Sequence, residues 1–164
     1  MADKTDPIRP TDDTARKLAR ALIAGARFGA LGVIDPATGS PRVSRVAVGT
    51  DGAGHPLILV STLSGHTAAL QADPACSLLV GEPGPKGDPL THPRLTLQCR
   101  AGLADKAAER DGWLRTHPKS ALYIDFADFL FFRLTIAEAH LNGGFGKAYR
   151  LVPEDLVGDQ ARGP

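Results

Sequence analysis

Long apolar runs are missing from this 164-residue chain. Its apolar stretches are of strand length, far short of the roughly 20 residues a membrane-spanning helix needs, so no membrane partner is expected. An excess of one charge is missing too. Nineteen basic residues stand against eighteen acidic ones, giving a formal charge of +1, and no segment gathers Lys or Arg. No nucleic-acid footprint is therefore expected. The start, Met1-Ala2-Asp3-Lys4-Thr5-Asp6, lacks the basic opening and apolar core of a secretion signal. There are only two cysteines, Cys76 and Cys99, each inside an apolar strand-like run. They read as reduced, buried thiols in a cytoplasmic protein rather than as a redox pair.

Several chemistries are excluded by pattern. The five histidines, at 55, 66, 92, 117 and 140, form no close pair and have no cysteine at ligand spacing, so no metal site is expected. No Gly-x-Ser-x-Gly elbow is present. Asn142-Gly143-Gly144-Phe145-Gly146-Lys147-Ala148 is not a Walker phosphate loop, because Leu141 stands where its first glycine belongs and Ala148 replaces the hydroxyl. That turn either needs backbone with positive φ or lines a cofactor.

What is present is ordinary for one domain: 43% hydrophobic residues and enough length for a core. We divide the chain into a flexible leader over 1–10, a single domain over 11–157 and a flexible tail over 158–164. Thr11-Asp12-Asp13 supplies N-cap candidates for a helix carrying Leu18, Leu22 and Ile23 at helical spacing, with Gly25 as its stop. Strands are expected over 28–34, 42–50 and 56–61, the last two forming a hairpin closed by Asp51-Gly52-Ala53-Gly54. A short helix over 67–72 and a strand over 75–82 follow. Over 94–102, Leu95, Leu97, Cys99 and Ala101 alternate with Arg94, Thr96, Gln98 and Arg100. Asp105 caps a helix through Trp113, a second short helix holds Leu122 and Tyr123, and 128–140 is a strand apolar on both faces at Phe129-Leu130-Phe131-Phe132. Pro153-Glu154-Asp155-Leu156 opens a last short turn or helix. About six strands without regular βα alternation point to a mostly β protein, an antiparallel barrel with peripheral helices.

One constellation carries chemistry. Arg45 lies in a strand otherwise made of small apolar residues, Val43, Val46, Ala47 and Val48, and a guanidinium suits the paired oxygens of a phosphate. Ser61-Thr62-Leu63-Ser64-Gly65-His66-Thr67 then places four hydroxyls, a glycine and an imidazole where a strand enters a helix. Helix N-termini favour anions. The plainer alternative stays open: Ser64 or Thr67 is an N-cap and Arg45 a surface charge.

In these residues, and in the order of motifs from Thr11 to Leu151, the chain resembles the pyridoxamine 5′-phosphate oxidase-like family of flavin proteins. The run His140-Leu141-Asn142-Gly143-Gly144-Phe145-Gly146-Lys147-Ala148 is similar to its haem-utilisation branch. The resemblance implies an FMN-binding split barrel, six-stranded, antiparallel and of Greek-key type, working as a homodimer with FMN in clefts between subunits. It implies that Arg45 and the turn with Ser64, His66 and Thr67 hold the flavin phosphate, that the backbone of Val46, Ala47 and Val48 runs beside the ring, and that Ser61, Thr62 and Arg94 reach its polar parts. It also implies that Phe145 closes the cleft, from the same or the other subunit. Gly65-His66 stands where the oxidase branch has an Arg-Lys pair, and no histidine follows His140. The function expected on this basis is an FMN-dependent oxidoreductase acting on an unknown small substrate, with no catalytic acid or base identified. The alternative is a haem-binding or haem-degrading protein, with His140 and His117 as candidate axial ligands.

Overall fold

The computed structural model describes residues 6–158. Residues 1–5 of the expected leader and 159–164 of the expected tail lie outside the described residues. Helix α1 (Asp13–Gly25) begins where Asp12 accepts a hydrogen bond from the Ala15 N–H at 2.8 Å. The helix buries Ala15, Ala19 and Ile23 with Leu18 and Leu22 beside them, while Lys17 and Arg20 stay outside. Three antiparallel strands follow: β2 (Phe28–Ile34), β3 (Pro41–Thr50) and β4 (Pro56–Ser61). In the β3–β4 loop, Asp51 Oδ1 accepts the N–H groups of Ala53, Gly54 and His55, each at 2.9 Å, which fixes the hairpin.

Helix α2 (Gly65–Ala72) leads to β5 (Ala75–Val80), which returns to pair with β2, a Greek-key step. Then come β6 (Arg94–Ala104), α3 (Lys106–Thr116, capped by Asp105), a 3-10 turn over Pro118–Leu122 and the long β7 (Phe129–Asn142). Strand β7 pairs with both β4 and β6, so β5-β2-β3-β4-β7-β6 closes into a six-stranded antiparallel barrel. Two short strands extend it beyond the expected six. They are β8 (Ala148–Leu151) on β7 and β1 (Ile8–Arg9) parallel to β8, and α4 (Pro153–Leu156) follows.

The barrel interior is filled by alternate residues, among them Leu31, Val48, Ile58, Leu78, Leu95, Leu97 and Leu134. A second cluster lies outside the wall. Leu57, Leu59 and Phe131 face outward there and are covered by Trp113 of α3 and by Ile124. This explains why β4 and the Phe129–Phe132 run are apolar on both faces: Phe131 and Phe132 are both buried within one chain. Their apolarity is therefore no sign of a subunit interface, as it would be on an open face. The uncovered part of the wall lies elsewhere, on β2, β3 and β5, where Phe28 is 41% exposed, Val43 69% and Leu79 41%.

Candidate functional site

Strand parity decides what meets at the strand-to-helix turn. Val46 and Val48 point into the barrel, so Arg42 and Ser44 share their side of β3, while Val43, Arg45 and Ala47 share the outer one. The consequence is visible at α2. A Cβ added to Gly65 would stand 2.5 Å from an Arg42 guanidinium nitrogen, and His66 Nδ1 lies 3.2 Å from Ser44 Oγ. Arg42 also pairs with Asp35 at 2.7 Å. The sequence reading missed Arg42 and Ser44, although the two-residue step Arg42-Ser44-Val46-Val48 carries the signal.

Arg45 instead projects from the outer wall, with its guanidinium 5.4 Å from the centre of the Phe28 ring. Among the described residues, no hydrogen bond or ion pair joins it to the turn. Val46 and Val48 belong to the core, and Ala47 is half-buried against the outer cluster. Within the turn, several hydroxyls are already committed. Ser61 Oγ donates to Asp128 Oδ2 at 2.6 Å and accepts the Leu63 N–H. Thr67, fully buried, donates to the Ser61 carbonyl at 2.6 Å, and the Thr62 N–H donates to the Asp128 carbonyl at 2.8 Å. Ser64 is the N-cap of α2 by position, but its side chain makes no capping hydrogen bond. What remains free at this end, among the described residues, is the Thr62 and Ser64 hydroxyls, the first N–H groups of α2 and part of the Arg42 guanidinium. Burial lowers the pKa of His66 and favours its neutral form, so the imidazole adds no fixed charge. The group of residues that would hold a phosphate is thus Arg42, Ser64, Gly65 and His66.

The other two candidates sit apart from the turn. Arg94, at the start of β6, donates to the Leu90 carbonyl at 2.9 Å. Phe145 caps the β7–β8 turn, 89% exposed.

The histidines separate by their partners. His117 stacks on Trp113 at 4.0 Å, with one ring nitrogen 2.8 Å from Thr116 Oγ1 and the other 3.1 Å from the Arg27 carbonyl. His92 is likewise engaged at both nitrogens, by the Gly84 N–H and the Lys86 carbonyl. His140 differs. It lies on β7 opposite Thr96 of β6 and Arg150 of β8, its side chain is 40% exposed, its Nε2 stands 3.8 Å from a Glu138 carboxylate oxygen, and it makes no hydrogen bond among the described residues. Among the described residues there is no cluster of three metal-binding side chains, and no helix is long and apolar enough to cross a membrane.

Residues 15–143 match the model of the pyridoxamine 5′-phosphate oxidase family. The chain belongs to that family. Over 101 residues, 58% of the chain, it is 42% identical to a non-canonical haem oxygenase of Arabidopsis thaliana chloroplasts. It is 30% identical to a haem-binding protein from Mycobacterium smegmatis, whose structure superimposes on 90% of the chain with a TM-score of 0.79. The chain spans 30% of the plant relative and 60% of the mycobacterial one. HutZ, a haem storage protein of Vibrio cholerae, shares the fold at 18% identity and a TM-score of 0.56, over 78% of this chain and 91% of that one. The split barrel expected from the sequence is the fold of this family.

Proposed function

We propose that this chain is a haem-binding member of the oxidase family, with His140 as the iron ligand. The observation that carries the reading is the state of its imidazole. A ligating histidine must offer a ring nitrogen that is not already hydrogen-bonded within the protein. His140 offers one on an exposed strand face, whereas both nitrogens of His92 and His117 are occupied. The haem-related names of two relatives, at 42% and 30% identity, support the choice of group. When bound, haem supplies a redox-active iron. The protein's part would be to hold it: His140 from β7, with Arg150 directly across the pair on β8 and Thr96 across on β6. Adding haem to the pure protein should produce a Soret band that His140→Ala abolishes and His117→Ala leaves unchanged.

A second reading is favoured by the α2 turn. The Arg42 guanidinium over Gly65, with the Ser64 hydroxyl and the open helix N-terminus, fits a phosphate such as that of FMN. A saturable FMN titration abolished by Arg42→Ala would support it. Absence of flavin binding would remove it.

A further inference from the structure

A cavity of about 570 Å³ opens between the C-terminal end of α1, the β3–β4 hairpin and α3. None of the residues lining it belongs to α2, β7 or β8, so it is separate from His140 and from the strand-to-helix turn. Its walls are tied to one another. The Arg27 carbonyl accepts the Val48 N–H at 2.9 Å and lies 3.1 Å from His117 Nε2, which fixes the end of α1 against β3 and α3. Asp51, held by its own loop, meets Arg133 at 2.6 Å, and Arg133 meets Glu109 of α3 at 2.8 Å. Between these ties the lining is small: Ala24, Gly52, Ala108 and Gly112. A Cβ on Gly112 would have only an Arg115 guanidinium nitrogen within 4 Å, at 3.5 Å, so the space beside the helix is open.

The rim carries both signs of charge. Arg27 and Arg115 have no ion-pair partner among the described residues. Arg27 Nη1 donates to the Ala24 and Ala26 carbonyls at 3.1 and 3.2 Å, which holds the guanidinium at the end of α1 and leaves its other nitrogens free. Asp111 has only a 3.3 Å contact from Arg110, whose guanidinium already grips both oxygens of Asp125 at 2.7 and 2.8 Å. Glu109 gives one oxygen to Arg133, and its other accepts no hydrogen bond among the described residues. Asp111 and Arg115 stand four apart on α3, a spacing that favours an ion pair, yet they form none.

We propose that this cavity binds a free α-amino acid, its carboxylate on the Arg27 and Arg115 guanidinia and its ammonium on Asp111 and Glu109. A ligand of one sign would be repelled by half of the rim, whereas a zwitterion satisfies both halves. The planar fork of a guanidinium matches a carboxylate. The volume falls within the roughly 300–1,000 Å³ of small-molecule sites and leaves room for the ligand's side chain. This site does not depend on haem, and it is tested on the protein without haem.

The experiment is isothermal titration calorimetry of the full chain with each of the common amino acids. At least one should bind saturably. The N-acetyl and carboxamide derivatives of that amino acid each lack one charge and should bind at least about tenfold more weakly. Arg115→Ala and Asp111→Asn change exposed residues, so both should stay folded by circular dichroism while losing affinity to a similar degree. Gly112→Leu fills the cavity with a better helix former and should abolish binding in a folded protein. No binding by any amino acid, a derivative that binds as tightly as its parent, or unchanged affinity in any of the three variants would overturn the proposal.

Discussion

Gly65 has no room for a side chain because Arg42 lies across it, with a guanidinium nitrogen 2.5 Å from where a Cβ would stand. The far end of an arginine can swing away, so Gly65→Ala should leave stability within about 0.5 kcal/mol of wild type. It should also displace Arg42 from the turn. If flavin is held there, FMN affinity falls about tenfold in Gly65→Ala, equal to about 1.4 kcal/mol, and changes little in Arg45→Ala. Quenching of flavin fluorescence on titration reads both.

His66 gives the turn a pH dependence whose sign is fixed. Burial holds its folded pKa below the ordinary value of 6.5, so the unfolded chain takes up the proton first. The contribution of His66 to stability is therefore full above that value and declines as the pH falls from it toward the depressed folded pKa. Urea denaturation at a series of pH values should show a steeper acid loss for wild type than for His66→Gln.

Trp113 is pinned on several sides, and its neighbours should not tolerate change. The indole donates to Ser120 Oγ at 3.0 Å, its ring meets Phe131 edge-on at 5.2 Å, and a Cβ on Gly49 would come within 2.9 Å of it. Ser120→Ala leaves a buried N–H without a partner and should cost about 1–3 kcal/mol. Gly49→Ala drives a methyl into a ring that cannot retreat and should cost about 1–3 kcal/mol. Both are measured as shifts in the denaturation midpoint.

The cysteines should be inert in the native protein. Burial, and secondarily Asp73, pushes the Cys76 thiol up to about 11, and burial pushes Cys99 higher still. Since the thiolate is the reactive form, a thiol reagent near pH 8 should label neither in the folded protein and both in denaturant.

Much of the barrel is written in local pattern, and the site is not. Strand β2, the β3–β4 hairpin and the alternation of β6 appear where period and turn residues placed them, and Asp12 caps α1 as its position suggested. Strands β8 and β1 were invisible because each is short and exists through pairing at the edge of β7 or with the other. The Phe129–Phe132 run shows why two-sided apolarity is ambiguous: a covering helix from the same chain explains it as well as a partner would. At the turn, the presence of hydroxyls was legible and their use was not. Thr67 and Ser61 spend theirs on the Ser61 carbonyl and on Asp128, a residue 67 positions beyond Ser61. The guanidinium over the turn is Arg42, on the Val46 side of β3, while Arg45 sits on the Phe28 ring.

The most direct test of the central claim is a haem titration followed by absorbance, in wild type and in His140→Ala. The account predicts a saturable Soret band in wild type that His140→Ala loses while keeping its fold. No spectral change in wild type, or an identical band in the variant, would contradict it.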